Sequence, residues 1–173
     1  MAVEYKEWVY SPTQEERFEA WVNTIKIAHK GGTTDIRNER VSWTPLEKPL
    51  RECKVALVTT GGVHLRSQEP FNILNPHGDW SYREFPNDVD ARELMVTHSH
   101  YNHGDADQDI NCMLPIERLK ELKDEGYVND IAPTIFSFMG FIPDPRTLVE
   151  ETGPEVAHRL KEEEPDVALL TGG

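Results

Sequence analysis

Short apolar runs alternate with amphipathic segments along much of this chain. Four such runs, each ending in glycine or polar residues, lie near 54–60, 93–98, 133–138 and 166–171. Runs of this kind are typical of strands that are buried on both faces of a parallel sheet. The amphipathic segments that begin at Pro115 and Pro145 predict helices between the later strands. The alternation predicts an α/β fold, a single three-layer domain with a mostly parallel central sheet.

An amphipathic segment near the start of the chain predicts an N-terminal helix ahead of this domain. Ser11 is placed to cap the helix, Pro12 suits its first turn, and Gln14 completes a capping-box pattern. One face carries apolar side chains at helical spacing, namely Phe18, Trp21, Val22, Ile25 and Ala28. We therefore divide the chain into an N-terminal helical extension over 1–32 and an α/β domain over 33–173.

The charge and the cysteine content narrow the range of partners. A formal net charge of -13 disfavours nucleic acid and anionic membrane surfaces, because both require a basic face. The sequence has no apolar stretch of the length that spans a bilayer. Cys53 and Cys112 are its two cysteines, which provide no disulfide framework. These features predict a cytoplasmic protein.

A dense group of histidines and aspartates follows the second predicted strand in "LMVTHSHYNHGDAD". In open parallel sheets, ligands bind beyond the carboxyl ends of the strands, so this segment falls on the functional edge of the predicted sheet. Imidazole groups donate, accept or transfer protons near neutral pH, and carboxylates orient an amine. We predict that five residues of this segment carry the chemistry: His98, His100, His103, Asp105 and Asp107.

The ends of the other predicted strands supply candidate substrate-binding residues. The pair Gly61 and Gly62 allows close backbone approach, and its N–H groups are candidates for binding an anion such as a substrate carboxylate. Arg66 and Arg83 are weaker candidates for the same role. The full predicted set of substrate-binding residues is Gly61, Gly62, Tyr101, Asn102, Ser137 and Met139.

Two other interpretations of the histidine segment remain open. His98, His100 and His103 form the pattern H-x-H-x-N-H, which indicates a divalent metal site and, with it, a metal-dependent hydrolase. The pattern has the spacing of the metallo-β-lactamase-type hydrolases, but Asn102 stands where that family has an aspartate. The segment also fits a module that binds a small molecule or a metal ion without catalysis.

Several longer stretches resemble the selenoprotein B family of the glycine, sarcosine, betaine and D-proline reductases. The resemblance runs from Trp43 onward through "VSWTPLEKPLRECKVALVTTGGVHL", "HSHYNHGDADQDINCMLPIERLKEL", "IAPTIFSFMGFI" and "DVALLTGG". It implies a subunit of a reductase that cleaves a C–N or related bond of a small amino-acid-like substrate. A selenolate or thiolate attacks the carbon that bears the nitrogen, and thiols then reduce the product of that attack.

The resemblance also implies a redox centre and partners. A selenocysteine or cysteine is expected in a loop beyond Gly173, and a chain that stops there is expected where a selenocysteine codon is read as termination. Cys112, close to the histidine segment, is the candidate thiol within the sequence. The implied partners are a small substrate, a thiol reductant protein, and either further copies of the chain or a partner subunit. An uncovered final strand predicts self-association or binding to another chain.

Overall fold

The computed structural model describes residues 13–29 and 44–172. Helix α1 spans Gln14–His29. Its capping box is formed by Thr13 and Glu16: the Glu16 N–H donates to Thr13 Oγ1, and the Thr13 N–H donates to Glu16 Oε2. This box lies two residues further along the chain than the one predicted from Ser11 and Gln14. Ser11 and Pro12, the predicted border between 1–32 and 33–173, and the side chains of Trp21, Ile25 and Ala28 lie outside the described residues.

Strand β1 (Lys54–Thr59) is the centre of the main sheet. On one edge it pairs in parallel with β5 (Asp130–Ile131) and β6 (Thr134–Phe138), and on the other with β7 (Val167–Thr171). Strand β3 (Tyr82–Pro86) pairs with β6 in the antiparallel direction. The sheet is thus mostly parallel, as the sequence predicts.

Helices lie against both faces of this sheet. Alternate side chains of β1 enter two different clusters, because successive residues of a strand point to opposite faces. Leu57 packs in a cluster with Leu119 of α2 (Ile116–Asp124), whereas Val58 packs in a cluster with Val156 of α3 (Gly153–Glu162). The predicted α/β fold class is confirmed.

One predicted strand of the central sheet was placed wrongly. The run near 93–98 forms β4 (Leu94–Val96), which pairs antiparallel with β2 (Val63–Leu65) in a separate two-stranded sheet. Leu94 and Val96 are buried and Met95 is half-buried. A short apolar run shows that a strand is buried but does not show which strand it pairs with. This small sheet follows β1 directly and carries the histidine segment back to the end of β1.

Strand β7 leaves apolar surface exposed. Leu170 is 73% exposed and Leu169 is 38% exposed. Within the described residues β7 pairs with β1 alone, so its outer edge has no strand partner there. Buried strands of parallel sheets are normally covered on both faces, which makes this strand a candidate contact surface. None of the helices in the described part of the chain combines the length and apolar character that a membrane crossing requires.

Candidate functional site

A small pocket lies where the ends of β1 and β6 meet the histidine segment. Its volume is about 190 Å³, and its lining residues are Thr60, His98, His100, Tyr101, Gly140 and Phe141. Such a volume holds about six water molecules, so it suits a ligand of few heavy atoms. Its lining combines aromatic rings with hydroxyl and imidazole groups, a mixture that is typical of sites for small polar ligands.

Two glycines make the close approach of these segments possible. Gly140 has a φ of +88°, and a Cβ atom there would lie 2.4 Å from the carbonyl oxygen of Thr60. Gly62 has a φ of +72°, and its Cβ atom would lie 2.5 Å from the carbonyl oxygen of Thr97. Side chains at either position would push the strand ends and the histidine segment apart.

His98 is held by the backbone on both sides of its ring. The N–H of His100 donates to His98 Nδ1 over 3.0 Å, so Nδ1 carries no proton. A second hydrogen bond joins the ring to the Met139 backbone. Burial, with a smaller contribution from the neighbouring His100, lowers the pKa of His98 to about 4. A neutral ring with both nitrogens engaged positions the segment and does not transfer protons at neutral pH.

His100 differs from His98, because one of its ring nitrogens has no hydrogen-bond partner among the described residues. Nδ1 lies 2.8 Å from Ser99 Oγ, and the ring stacks on Phe141 with centroids 3.6 Å apart. Nε2 is the nitrogen without a partner, and it is buried. Burial also lowers the pKa of His100, so the ring is neutral at neutral pH. A buried and unpartnered nitrogen in a pocket wall is costly unless a ligand or water pairs with it.

Tyr101 ties the histidine segment to the end of β1. Its hydroxyl donates to the carbonyl oxygen of Gly61 over 2.6 Å, and its ring lies against His98 with centroids 4.4 Å apart. Burial and the charge of Asp107 raise the pKa of Tyr101 to about 12. The phenol therefore stays protonated and serves as a fixed hydrogen-bond donor to the backbone.

The remaining polar residues of the segment lie outside the small pocket. His103 Nδ1 pairs with Asp107 Oδ2 at 2.8 Å, and both residues line a different, larger groove. Asn102 is exposed and accepts a hydrogen bond from the Gly104 N–H. Asp105 is also exposed, and its carbonyl oxygen accepts from the turn that follows. Of the five predicted catalytic residues, two line the small pocket and two line the larger groove, whereas Asp105 lines neither.

The predicted role of the glycine pair in anion binding does not fit the structure. The Gly61 N–H donates to Thr59 Oγ1, and the Gly62 N–H donates to the carbonyl oxygen of Phe138. Both groups are therefore already used within the protein. Ser137 is fully buried in β6, and Met139 packs in an apolar cluster, so neither side chain lines the small pocket.

The two candidate arginines have different roles. Arg83 donates to the carbonyl oxygens of Glu69, Pro70 and Tyr82, and it lies over the Phe71 ring. It is a structural residue. Arg66 donates to a backbone carbonyl through Nε and lines the larger groove.

The end of β7 reaches the same edge as the pocket. The Thr60 N–H donates to the carbonyl oxygen of Thr171 over 2.9 Å, and Thr171 Oγ1 donates to the Met113 carbonyl oxygen over 2.8 Å. Residues that follow Thr171 thus leave β7 beside Thr60, which lines the pocket.

Comparisons of the sequence with known proteins show its family. The family model described as glycine/sarcosine/betaine reductase selenoprotein B matches residues 27–173. The chain belongs to this family. It is 45% identical over 131 residues to the D-proline reductase subunit gamma of Acetoanaerobium sticklandii, covering 76% of this chain and 53% of that protein.

A second relative is more distant in sequence. The glycine reductase complex component B subunit gamma of Symbiobacterium thermophilum is 27% identical over 139 residues, covering 77% of this chain and 31% of that protein. The chain therefore spans about half of the first relative and about a third of the second. No solved structure matches the chain.

The side chains of the described residues do not assemble a metal site. Within the described residues, no three side chains of His, Cys, Asp or Glu lie close enough to bind one metal ion. The three histidines of the metal hypothesis do not converge, because His98 uses both ring nitrogens internally and His103 lies in the larger groove. The geometry gives no support to the metal-dependent hydrolase.

Sequence reasoning missed three residues of the pocket wall, Thr60, Gly140 and Phe141. Each is the last residue of a predicted strand or lies within three residues beyond one, so the rule that ligands bind at strand ends identifies the correct segments. The choice among adjacent residues depends on which way each side chain points, which the pattern does not show. Sequence reasoning also missed His64, a fully buried neutral histidine whose Nε2 lies 2.8 Å from Thr97 Oγ1.

Acid should destabilise the domain through His98 and His64. Burial lowers the pKa of both histidines in the folded chain. In the unfolded chain these histidines bind protons below about pH 6.5, whereas in the folded chain they bind protons only at lower pH, so acid favours the unfolded chain. We expect the free energy of unfolding to fall by roughly 1–2 kcal/mol for His98 between pH 7 and pH 4, a value reduced for its partial exposure. Urea unfolding at several pH values measures this change.

A matched pair of variants isolates the contribution of His98. His98→Gln keeps a hydrogen-bonding side chain without the titrating ring, so part of the pH dependence should disappear. His158→Ala removes an exposed histidine on α3 and should retain the full dependence. Identical pH dependence in His98→Gln and the unmodified protein would contradict the assignment.

Proposed function

We propose that this domain forms the substrate pocket of a reductase subunit that cleaves a C–N or related bond of a small amino-acid-like molecule. The observation that carries the proposal is the small pocket in which the buried Nε2 atom of His100 has no partner, in a chain that belongs to the selenoprotein B family. The names of its relatives, subunits of D-proline reductase and of a glycine reductase complex, agree with this class of reaction.

The proposed reaction replaces a C–N bond by a C–H bond. A selenolate or thiolate attacks the carbon atom, and the C–N electron pair leaves with the nitrogen, which takes up a proton. A thiol then attacks the selenium or sulfur atom, and the carbon takes up a second proton. A further thiol regenerates the selenolate or thiolate and forms a disulfide. In total one C–N bond is reduced and two thiols are oxidised.

His100 is the residue that we assign to substrate contact. Its ring is fixed by stacking on Phe141, so Nε2 meets a ligand without a loss of side-chain freedom on binding. The lowered pKa keeps the ring neutral, and a neutral imidazole can donate a hydrogen bond to the departing nitrogen group or accept one from it. Tyr101 and His98 are positioning residues, because both act through the backbone.

We place the redox centre, a selenocysteine or cysteine, beyond Gly173. The support is geometric: the carbonyl oxygen of Thr171 is hydrogen-bonded to the Thr60 N–H, so the chain that continues from β7 begins beside the pocket. Cys53 is buried and Cys112 is exposed, and neither lines the pocket. The nucleotide sequence after the Gly173 codon tests this: an in-frame codon for either residue with further coding sequence supports it, and its absence contradicts it.

The proposed partners are a thiol reductant protein and further protein chain at β7. The exposed Leu169 and Leu170 give an apolar surface that another subunit, a second copy of the chain or a continuation of the domain would cover. We propose a cytoplasmic location, since Cys53 and Cys112 are both free thiols in the structure.

A reaction panel tests the proposed function. The complete subunit, purified together with its partner subunits, is incubated without oxygen with dithiothreitol and with glycine, sarcosine, betaine or D-proline. We expect at least one compound to be cleaved at its C–N bond, with one disulfide formed for each bond broken. The absence of cleavage for all four compounds would contradict the proposal.

The second candidate is a binding module without catalysis, which is favoured by one observation. None of the described residues that line the pocket carries a thiol. Calorimetric titration of the same preparation with the four compounds distinguishes the two candidates. Saturable binding without cleavage of any compound would support the binding module over the reductase.

A further inference from the structure

The larger groove, which shares no lining residue with the small pocket, has a volume of about 640 Å³. Its floor is apolar and is formed by Leu94, Val96, Ala106 and Ile110, all of which are buried in the main core cluster. This volume lies within the range of about 300–1,000 Å³ that is typical of ligand sites. The groove therefore has room for a molecule larger than one that fits beside His100.

Two pairs of oppositely charged residues line this groove. Arg66 and Arg92 are joined by the hydrogen bond from Arg66 Nε to the Arg92 carbonyl oxygen. Asp109 and Glu117 are joined through Asn111, whose Nδ2 donates to a carboxylate oxygen of each. In the described part of the chain, neither arginine forms an ion pair with either of these two acids.

Both charged pairs keep hydrogen-bonding capacity for a ligand. Arg92 is paired with Asp90, but the two Nη groups of Arg66 have no partner among the described residues. Asp109 Oδ2 and Glu117 Oε1 likewise accept no hydrogen bond from the described part of the chain. A guanidinium group with free Nη atoms is suited to binding a carboxylate, and free carboxylate oxygens are suited to binding an ammonium group.

We propose that this groove is a second ligand site, for a zwitterionic amino acid with an apolar side chain. The ligand carboxylate binds Arg66, its ammonium group binds the oxygens of Asp109 and Glu117, and its side chain covers the apolar floor. His103, whose Nδ1 is paired with Asp107 Oδ2, also lines this groove. The site is independent of His100 and of the proposed reductase chemistry.

Calorimetric titration with L-leucine tests this site, with three comparison ligands that each lack one feature. Glycine lacks the apolar side chain, 4-methylpentanoate lacks the ammonium group, and 3-methylbutylamine lacks the carboxylate. We expect saturable binding of L-leucine and at least about tenfold weaker binding of each comparison ligand, since a charged hydrogen bond or a buried apolar group is lost. The absence of saturable L-leucine binding would overturn the proposal.

Variants of two groove residues and of two residues outside the groove test where L-leucine binds. Arg66→Ala and Glu117→Gln are expected to weaken L-leucine binding by at least about tenfold. Arg51→Ala, at an exposed arginine paired with Glu52 outside the groove, should leave the affinity unchanged. His100→Phe should also leave it unchanged, which separates this site from the small pocket. Unchanged affinity in both Arg66→Ala and Glu117→Gln, or a loss in His100→Phe alone, would overturn the proposal.

Discussion

Gly62→Ala is expected to destabilise the domain by about 3 kcal/mol or more. Gly62 has a φ of +72°, where a residue with a side chain is strained, and its new Cβ atom would lie 2.5 Å from the Thr97 carbonyl oxygen. The Gly62 N–H and carbonyl groups also hold Phe138 and Thr97 by hydrogen bonds. Relief of the clash must move the histidine segment, so substrate binding at the small pocket should weaken as well.

Gly126→Ala provides a matched control for this variant. Gly126 has a similar φ of +77°, but a Cβ atom there would meet nothing within 4 Å. Its substitution should cost only the backbone strain, about 1–2 kcal/mol. Thermal unfolding followed by circular dichroism compares the two, with an expected difference in Tm of several degrees, at roughly 2–4 °C per kcal/mol. Equal destabilisation would show that the close approach to Thr97 contributes nothing.

The placement of the site at the strand ends could be predicted from the sequence. The apolar runs that predict strands near 54–60 and 133–138 correspond to β1 and β6. Because these two strands pair in parallel, the residues that follow them lie at the same edge of the sheet. The histidine segment reaches this edge by another route. It follows β4, which pairs antiparallel with β2, and the Thr97 N–H directly after β4 donates to the carbonyl oxygen of Gly62 directly before β2. A local pattern does not contain that long-range contact.

The roles of individual residues in the site could not be predicted in the same way. His98 and His100 are two positions apart and similar in pattern, yet the backbone occupies both nitrogens of the first ring and leaves Nε2 of the second without a partner. His103 turns away from both and pairs with Asp107. These differences follow from hydrogen bonds formed only after the segment folds against Met139 and Phe141.

His100→Phe is expected to lower kcat/KM by about 100-fold or more, which is the usual contribution of a positioned proton donor or acceptor. The phenyl ring keeps the stacking on Phe141 but has no nitrogen to pair with the substrate. The fold should therefore be retained while the chemical contact is lost. His158→Ala serves as the control, because His158 is an exposed histidine whose side chain lies outside the small pocket.

The most direct test of the central claim is the kcat/KM for C–N bond cleavage of these two variants. They are measured with thiol reductant in the complete subunit assembled with its partner subunits. We expect a loss of about 100-fold or more for His100→Phe at an unchanged Tm, with His158→Ala equal to the unmodified enzyme. A His100→Phe enzyme that folds normally and cleaves its substrate at the unmodified rate would contradict the claim that His100 contacts the substrate.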